Sequence, residues 1–100
     1  MRALDISIIG ATGAVGAELI KLLEPSQLPV SRLRLLASRT SVGRQTRFRD
    51  EICIVEPLDE IDDIQTDIAF FSAGGAVSAK YGPLFAAQGA LVIDNSNAFE

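Results

Sequence analysis

Glycine at every third position between a strand-like and a helix-like segment constrains the fold of this chain most strongly. Gly10, Gly13 and Gly16 follow the apolar residues 6–9, and such a short β-branched run is typical of a strand buried on both faces of a parallel sheet. Residues 14–24 carry apolar side chains at helical spacing. The segment therefore predicts the strand-to-helix turn that begins a βαβ unit.

The segments that follow have the order that a doubly wound sheet requires. They are a strand at 32–37, a hairpin at 46–48 and 52–55, a strand at 67–71, a helix at about 77–88 and a strand at 90–93. Pro83 is expected to begin that helix or to kink it. These segments predict a Rossmann-type α/β fold, with a doubly wound, mostly parallel sheet and a small hairpin insertion. We expect one domain over residues 1–100, because no repeat or linker divides the chain.

The composition excludes several classes of function. Of the residues, 48% are apolar and 22% are charged, and the formal net charge of -4 argues against a nucleic-acid partner. The chain has no histidine and one cysteine, Cys53, so we expect no metal site and no Cys–His catalytic pair. Because Cys53 lies in an apolar strand, we expect a packed thiol rather than a nucleophile.

The N-terminal residues and the hydropathy predict a location for the protein. Residues 1–5 lead directly into the first strand without the apolar core of a signal peptide. No apolar run approaches the roughly 18 residues of a transmembrane helix. We therefore expect a cytoplasmic protein without a membrane partner.

The glycine loop has the residue types that bind a phosphate group. Backbone N–H groups at the start of a helix lie at the positive end of its dipole, and glycines let a pyrophosphate approach them. The spacing G-x-x-G-x-x-G differs from the usual G-x-G-x-x-G fingerprint. The alternative is a turn whose glycines only let the strand and the helix pack closely. The predicted dinucleotide-binding residues of this loop are Gly10, Thr12, Gly13, Ala14, Val15 and Gly16.

The polar residues after the second strand bear on the choice of dinucleotide. NAD-specific domains usually place Asp or Glu there for the ribose hydroxyls, whereas this chain has Ser38, Arg39, Thr40 and Ser41. No carboxylate stands here to repel a 2′-phosphate, and hydroxyls with a guanidinium favour the 2′-phosphate of NADP over NAD. The alternative is a solvated loop with one surface arginine.

A second strand-to-glycine transition occurs later in the chain, at Ser72, Ala73, Gly74 and Gly75. Because the carboxyl ends of parallel strands share one edge of a sheet, we expect this loop to border the same crevice, near the ribose and nicotinamide. An ordinary turn is the alternative. Asn95 follows the last predicted strand, where it either caps a turn or contacts a substrate.

Four segments together resemble the N-terminal NADP-binding region of the aspartate-semialdehyde dehydrogenase family. They are residues 10–16 (GATGAVG), 36–43 (LASRTSVG), 70–75 (FFSAGG) and 92–99 (VIDNSNAF). The resemblance implies reductive dephosphorylation of a small-molecule substrate, aspartyl phosphate, to aspartate semialdehyde. This reaction uses a cysteine thioester and hydride from NADPH, on the route to lysine, methionine and threonine. The resemblance also implies a homo-oligomeric parent protein and a catalytic and dimerisation domain beyond residue 100, with the catalytic cysteine and histidine.

The resemblance further implies roles for individual residues. Residues 12–15 would hold the pyrophosphate, and Ser38 and Ser41 would lie at the 2′-phosphate. Residues 72–75 would face the nicotinamide. Asn95 would lie near the substrate and the nucleophile.

Two positions depart from the family's pattern. The family usually has arginine where this chain has Thr40, so Arg39 would have to bind the 2′-phosphate. Glu100 stands where the family typically has an arginine for the substrate phosphate. Three other interpretations stay open: a catalytically inactive homologue, a different Rossmann-type reductase acting on N-acetylglutamyl phosphate, and a nucleotide-sensing module.

Overall fold

Strands and helices alternate along the chain. The computed structural model describes residues 2–61 and 65–95. The helices are α1 (Ala14–Leu23) and α2 (Gly75–Ala87). The strands are β1 (Leu4–Ile9), β2 (Val30–Ala37), β3 (Gln45–Phe48), β4 (Glu51–Ile54), β5 (Glu56–Pro57), β6 (Ile68–Phe71) and β7 (Leu91–Asp94). Short 3₁₀ turns at Arg39–Ser41 and Leu58–Glu60 follow β2 and β5.

Five of the strands form a parallel sheet in the order β5-β2-β1-β6-β7. β1 pairs with β2 on one side and with β6 on the other, so that Ile9 lies between Leu36 and Phe71. The chain moves toward one edge through α1 and later toward the other edge through α2. This strand order, which reverses between β1 and β6, is that of a doubly wound nucleotide-binding sheet. The predicted fold class is therefore confirmed.

The two helices cover opposite faces of the sheet, because neighbouring residues of a strand point to opposite sides. Ile8 packs in a core cluster with Ile20 of α1, whereas Ile9 packs in a second cluster with Phe85 of α2. The ring of Phe85 meets that of Phe71 edge to face, with 5.5 Å between the ring centroids. Because α1 follows β1 and α2 follows β6, both helices begin at the carboxyl edge of the sheet.

The predicted hairpin is present as a separate antiparallel pair, β3 and β4. Arg49 and Asp50 form its turn with φ of 48° and 69°, as the two-residue turns that match strand twist require. Phe48 is buried in the same core cluster as Ile20 of α1. The hairpin therefore adds to the core on the α1 side of the sheet.

One strand of the structure was not predicted. The two-residue strand β5 pairs with the end of β2, and it is too short to produce a periodic pattern. Of the two predicted positions for Pro83, the structure has the one inside the helix, since α2 begins at Gly75. We attribute this to the complete burial of Phe85, because tertiary packing can outweigh the loss of one backbone hydrogen bond.

Candidate functional site

A cleft of about 350 Å³ lies at the carboxyl edge of the sheet, where the strand order reverses. Ligands of open α/β sheets bind at this place, outside the strand ends at the switch point. The two glycine loops, the end of β2 and the turn after β5 all contribute to its lining. The polar and glycine positions that line it are Gly10, Thr12, Ser38, Arg39, Asp59 and Tyr81.

Two of the three loop glycines are required by packing. Gly10 has φ of 87°, and a Cβ there would lie 2.9 Å from atoms of Ala73. A Cβ on Gly16 would lie 2.5 Å from the carbonyl oxygen of Gly10. Because glycine has no Cβ at these two positions, the first loop can pack closely against the second loop and against its own helix. For Gly10 and Gly16 the structure thus supports the close-packing interpretation.

Gly13 has a different environment and faces more open space. It caps the N-terminus of α1 in an extended conformation, and a Cβ there would make a single ordinary contact, 3.5 Å from the oxygen of Gly10. The first N–H groups of a helix have no partner within the helix. The N–H groups at the start of α1, on Ala14, Val15 and Gly16, can therefore bind an anion at the positive end of the helix.

The hydroxyl groups after β2 do not all lie in the cleft. The Thr12 hydroxyl donates to the Ser41 hydroxyl at 3.1 Å, and Ser41 is 8% exposed. The hydroxyls of Ser38 and Thr40 are 3.0 Å apart. Of the four predicted residues, Ser38 and Arg39 line the cleft, whereas the Ser41 hydroxyl is paired with the glycine loop.

Although the residues after β2 include no carboxylate, the fold brings two carboxylates to Arg39 from another element. Nε of Arg39 donates to Oδ2 of Asp59 at 3.1 Å, and its Nη2 donates to Oε1 of Glu60. These carboxylates raise the pKa of Arg39, the hydrogen bond to Glu60 most of all. They come from the turn after β5, about twenty residues away in sequence, and only the pairing of β5 with β2 brings them to this place.

The second loop is connected to the first by hydrogen bonds. The backbone N–H and the hydroxyl of Ser72 both donate to the carbonyl oxygen of Ile9, at 2.9 and 3.0 Å. Ala73 lines the cleft. Gly74 caps α2 with φ of 109°, and none of the described residues has an atom within 4 Å of a Cβ built there. Ser72 therefore positions the loop, while Gly74 and Gly75 leave open space at the start of α2.

Asn95 lies at the same edge of the sheet, after β7. Its backbone N–H donates to the carbonyl oxygen of Phe71 at 2.7 Å, and the residue is half-buried. It is not one of the residues lining the cleft. The neighbouring residues 96–100, including Glu100, lie outside the described part of the chain.

Sequence reasoning missed the residues from other elements that complete the cleft. Leu58 and Asp59 belong to the unpredicted turn after β5, and Val77 and Tyr81 lie one helical turn apart on α2. Val77 and Tyr81 have only helical spacing as a sequence signal, which does not distinguish a cleft wall from a core residue, and Leu58 and Asp59 have no periodic signal.

Cys53 takes no part in the cleft and is half-buried on β4. Burial, and next the nearby charge of Glu51, raise the pKa of its thiol, which disfavours the nucleophilic thiolate. Among residues 2–61 and 65–95, no group of His, Cys, Asp and Glu side chains could hold a metal ion. No helix in the described ranges is both long enough and apolar enough to span a membrane. The cytoplasmic location stays a prediction.

A reversed strand order, with a cleft bordered by the two glycine-containing loops that lead into α1 and α2, defines a Rossmann-type dinucleotide-binding domain. Comparison with known proteins identifies the family. The sequence model of the semialdehyde dehydrogenase NAD-binding domain matches residues 5–100. The chain belongs to this family, and its cofactor class is a nicotinamide dinucleotide.

Its relatives include aspartate-semialdehyde dehydrogenases of several bacteria. The chain is 46% identical to that of Legionella pneumophila over 98 residues, which are 98% of this chain and 28% of the relative. A solved structure of aspartate semialdehyde dehydrogenase II from Vibrio cholerae, complexed with ASA, superposes with a TM-score of 0.91 at 43% identity, covering 98% of this chain and 32% of that one. A probable aspartate-semialdehyde dehydrogenase from Pseudomonas aeruginosa superposes with a TM-score of 0.88 at 37% identity, covering 99% and 30%. The chain thus spans less than a third of the length of these proteins.

Proposed function

We propose that this chain is the NADP(H)-binding part of an aspartate-semialdehyde dehydrogenase that reduces aspartyl phosphate to aspartate semialdehyde. The observation that carries the proposal is a cleft at the switch point of the doubly wound sheet, lined by Gly10 and Thr12 of the loop before α1 and by Ala73 of the loop before α2. Membership of the semialdehyde dehydrogenase family supports the reaction. The catalytic cysteine and histidine would come from a second domain, as would the contacts of a homo-oligomer.

The residues of the cleft fit a dinucleotide. The start of α1 has no acidic residue in its first turn, so residues 12–15 would hold the pyrophosphate without like-charge repulsion. Residues 72–75 at the start of α2 would border the nicotinamide, which supplies hydride when bound. Asn95 would contact the substrate from the same edge of the sheet.

NADP is the proposed cofactor because Ser38 and Arg39 line the cleft after β2. A guanidinium with a neighbouring hydroxyl is a suitable partner for a 2′-phosphate. Thr40 and Ser41 would support these two residues through the hydrogen bonds Ser38–Thr40 and Thr12–Ser41. Arg39 must exchange its carboxylate partners for the phosphate in this scheme.

The proposal predicts saturable binding of NADPH that depends on Arg39. Calorimetric titration of the intact protein should show tighter binding of NADPH than of NADH, and Arg39→Ala should weaken NADPH binding by roughly five- to fiftyfold, the loss expected for a charged hydrogen bond. NADH binding should change little. Arg32→Ala is the matched control, because Arg32 is exposed at the opposite end of β2.

Failure to bind either nucleotide, in protein whose circular dichroism shows an intact fold, would contradict the cofactor assignment.

A catalytically inactive homologue is the second candidate, and the pairing of Arg39 with Asp59 and Glu60 favours it. Nicotinamide absorbance during turnover of aspartate semialdehyde with phosphate separates the two. Nucleotide binding without turnover supports the inactive homologue, and turnover of N-acetylglutamyl substrates alone supports the other reductase.

A further inference from the structure

The ion pairs of Arg39 follow from the positions of two neighbouring strand ends. β2 and β5 are adjacent parallel strands with Ala37 opposite Pro57. A 3₁₀ turn follows β2 after one residue, Ser38, and another follows β5 directly. Arg39 begins one turn and Asp59 lies in the middle of the other. Parallel neighbours end at the same edge, so the cation and the carboxylates meet there without any ligand.

Both turns are anchored to the core of the domain. Leu58 is 7% exposed and packs in the cluster that contains Phe71 and Phe85. Ser41 is buried and accepts the hydrogen bond of Thr12. The backbones that carry Arg39, Asp59 and Glu60 are thus held side by side, while the three charged side chains remain about half exposed.

We propose that Asp59 and Glu60 are specificity-determining residues of this cleft. By pairing with Arg39 when no 2′-phosphate is bound, they lower the preference for NADPH over NADH. The inference rests on the proposed function. One guanidinium and two carboxylates leave this corner of the cleft with a net charge of -1, although its arginine is the side chain expected to attract a phosphate.

The two nucleotides differ in what they require of these three residues. The 2′-phosphate of NADPH must replace the carboxylates as the partner of Arg39. It must also come close to these carboxylates, and the negative charges of the phosphate and the carboxylates repel each other. The 2′-hydroxyl of NADH is neutral and can donate to a carboxylate that stays paired with Arg39. The carboxylates therefore weaken the binding of NADPH selectively and reduce the difference in affinity between the two nucleotides.

Neutralising the carboxylates tests this role. In the intact protein with Asp59→Asn and Glu60→Gln combined, the Kd of NADPH should fall roughly three- to tenfold, the range expected for two exposed ion pairs and a screened repulsion. The Kd of NADH should stay the same or rise. Both substitutions are isosteric on exposed side chains, so the fold should be retained. Asp50→Asn, in the hairpin turn near the far end of α1, is the matched control for loss of charge and should leave both constants unchanged.

The same pair of substitutions in an Arg39→Gln background tests whether the carboxylates act through Arg39. Most of the gain in NADPH affinity should disappear there. In the wild-type background the gain should shrink at high salt, since the pairs are exposed. A full gain without Arg39 would overturn the pairing role in favour of direct repulsion.

The binding of NADPH and NADH to these variants also separates the inference from the proposed function. If both nucleotides bind and their ratio is unchanged by the double substitution, the inference is overturned while the proposed function stands. If neither nucleotide binds to any variant, the proposed function fails and the inference fails with it.

Discussion

The three glycines of the first loop serve different purposes, and only the surroundings of each residue reveal this. Gly16 is buried in the first turn of α1, where a Cβ would lie 2.5 Å from the oxygen of Gly10 and 2.7 Å from Cα of Ala11. These are backbone atoms of the loop itself, so they cannot move aside as a flexible side chain would. Gly13, three residues earlier, has space for a side chain.

Gly16→Ala should destabilise the domain although alanine is the better helix former. The clash should outweigh the gain in helix propensity of about 1 kcal/mol and leave a net loss of about 1–3 kcal/mol. Urea unfolding followed by circular dichroism measures it. Gly75→Ala is the control, because that helical position is exposed and no described atom lies within 4 Å of a Cβ there. Equal stability of Gly16→Ala and the parent would contradict the close-packing role.

The side chain of Arg49 joins the hairpin to the end of α1, in addition to the packing of Phe48. The Arg49 guanidinium donates to the carbonyl oxygens of Leu23, Ser26 and Leu28 at 2.8 to 2.9 Å, and it lies 5.0 Å from the centre of the Phe48 ring. The last carbonyls of a helix have no partner within it, and a cation there also complements the helix dipole. One residue thus caps α1 and attaches the β3–β4 element to it.

Arg49→Ala should lower the free energy of unfolding by about 2–3 kcal/mol, since hydrogen bonds from a charged group to the helix end are lost. Arg49→Gly should cost about 1 kcal/mol less than that, because φ is 48° here and glycine adopts this conformation without strain. Arg47→Ala, on the exposed side of β3, should change stability by less than about 0.5 kcal/mol. The same denaturation series checks all three. If Arg49→Gly proves less stable than Arg49→Ala, the assigned backbone strain is wrong.

At the scale of the whole molecule, the cleft is formed by two βα units that pack on opposite faces of one sheet. The first loop belongs to β1 and α1, and the second belongs to β6 and α2. Ser72 and Ala73 hold the second loop against Ile9 and Gly10 of the first. A ligand that contacts both loops therefore stabilises the folded state of the entire domain by mass action.

NADPH at about a hundred times its Kd should add roughly 2.7 kcal/mol to the free energy of unfolding. The melting temperature should rise by roughly 10 °C or more for a domain of this size. Gly13→Asp should abolish the shift, because its carboxylate would lie where the pyrophosphate binds. The variant itself should be as stable as the parent, since Asp is a favourable helix N-cap. An undiminished shift in Gly13→Asp would place the nucleotide elsewhere.

The sequence by itself determined the fold class, the order of the main elements and both glycine loops. These features depend on local signals: β-branched runs, helical spacing and glycines at strand ends. The predicted helix at α1 and the predicted hairpin lie within one or two residues of the observed elements. The family resemblance is confirmed because its motifs span the whole chain.

Only the tertiary structure decided which side chains share the cleft. Asp59 and Glu60 follow a two-residue strand that has no periodicity of its own, and their contact with Arg39 exists because β5 pairs with the end of β2. Tertiary packing likewise keeps Pro83 within a helix and turns the Ser41 hydroxyl toward Thr12. Local sequence determines elements because their forces act between near neighbours. Contacts between elements depend on how their faces pack, and the charge environment of Arg39 is such a contact.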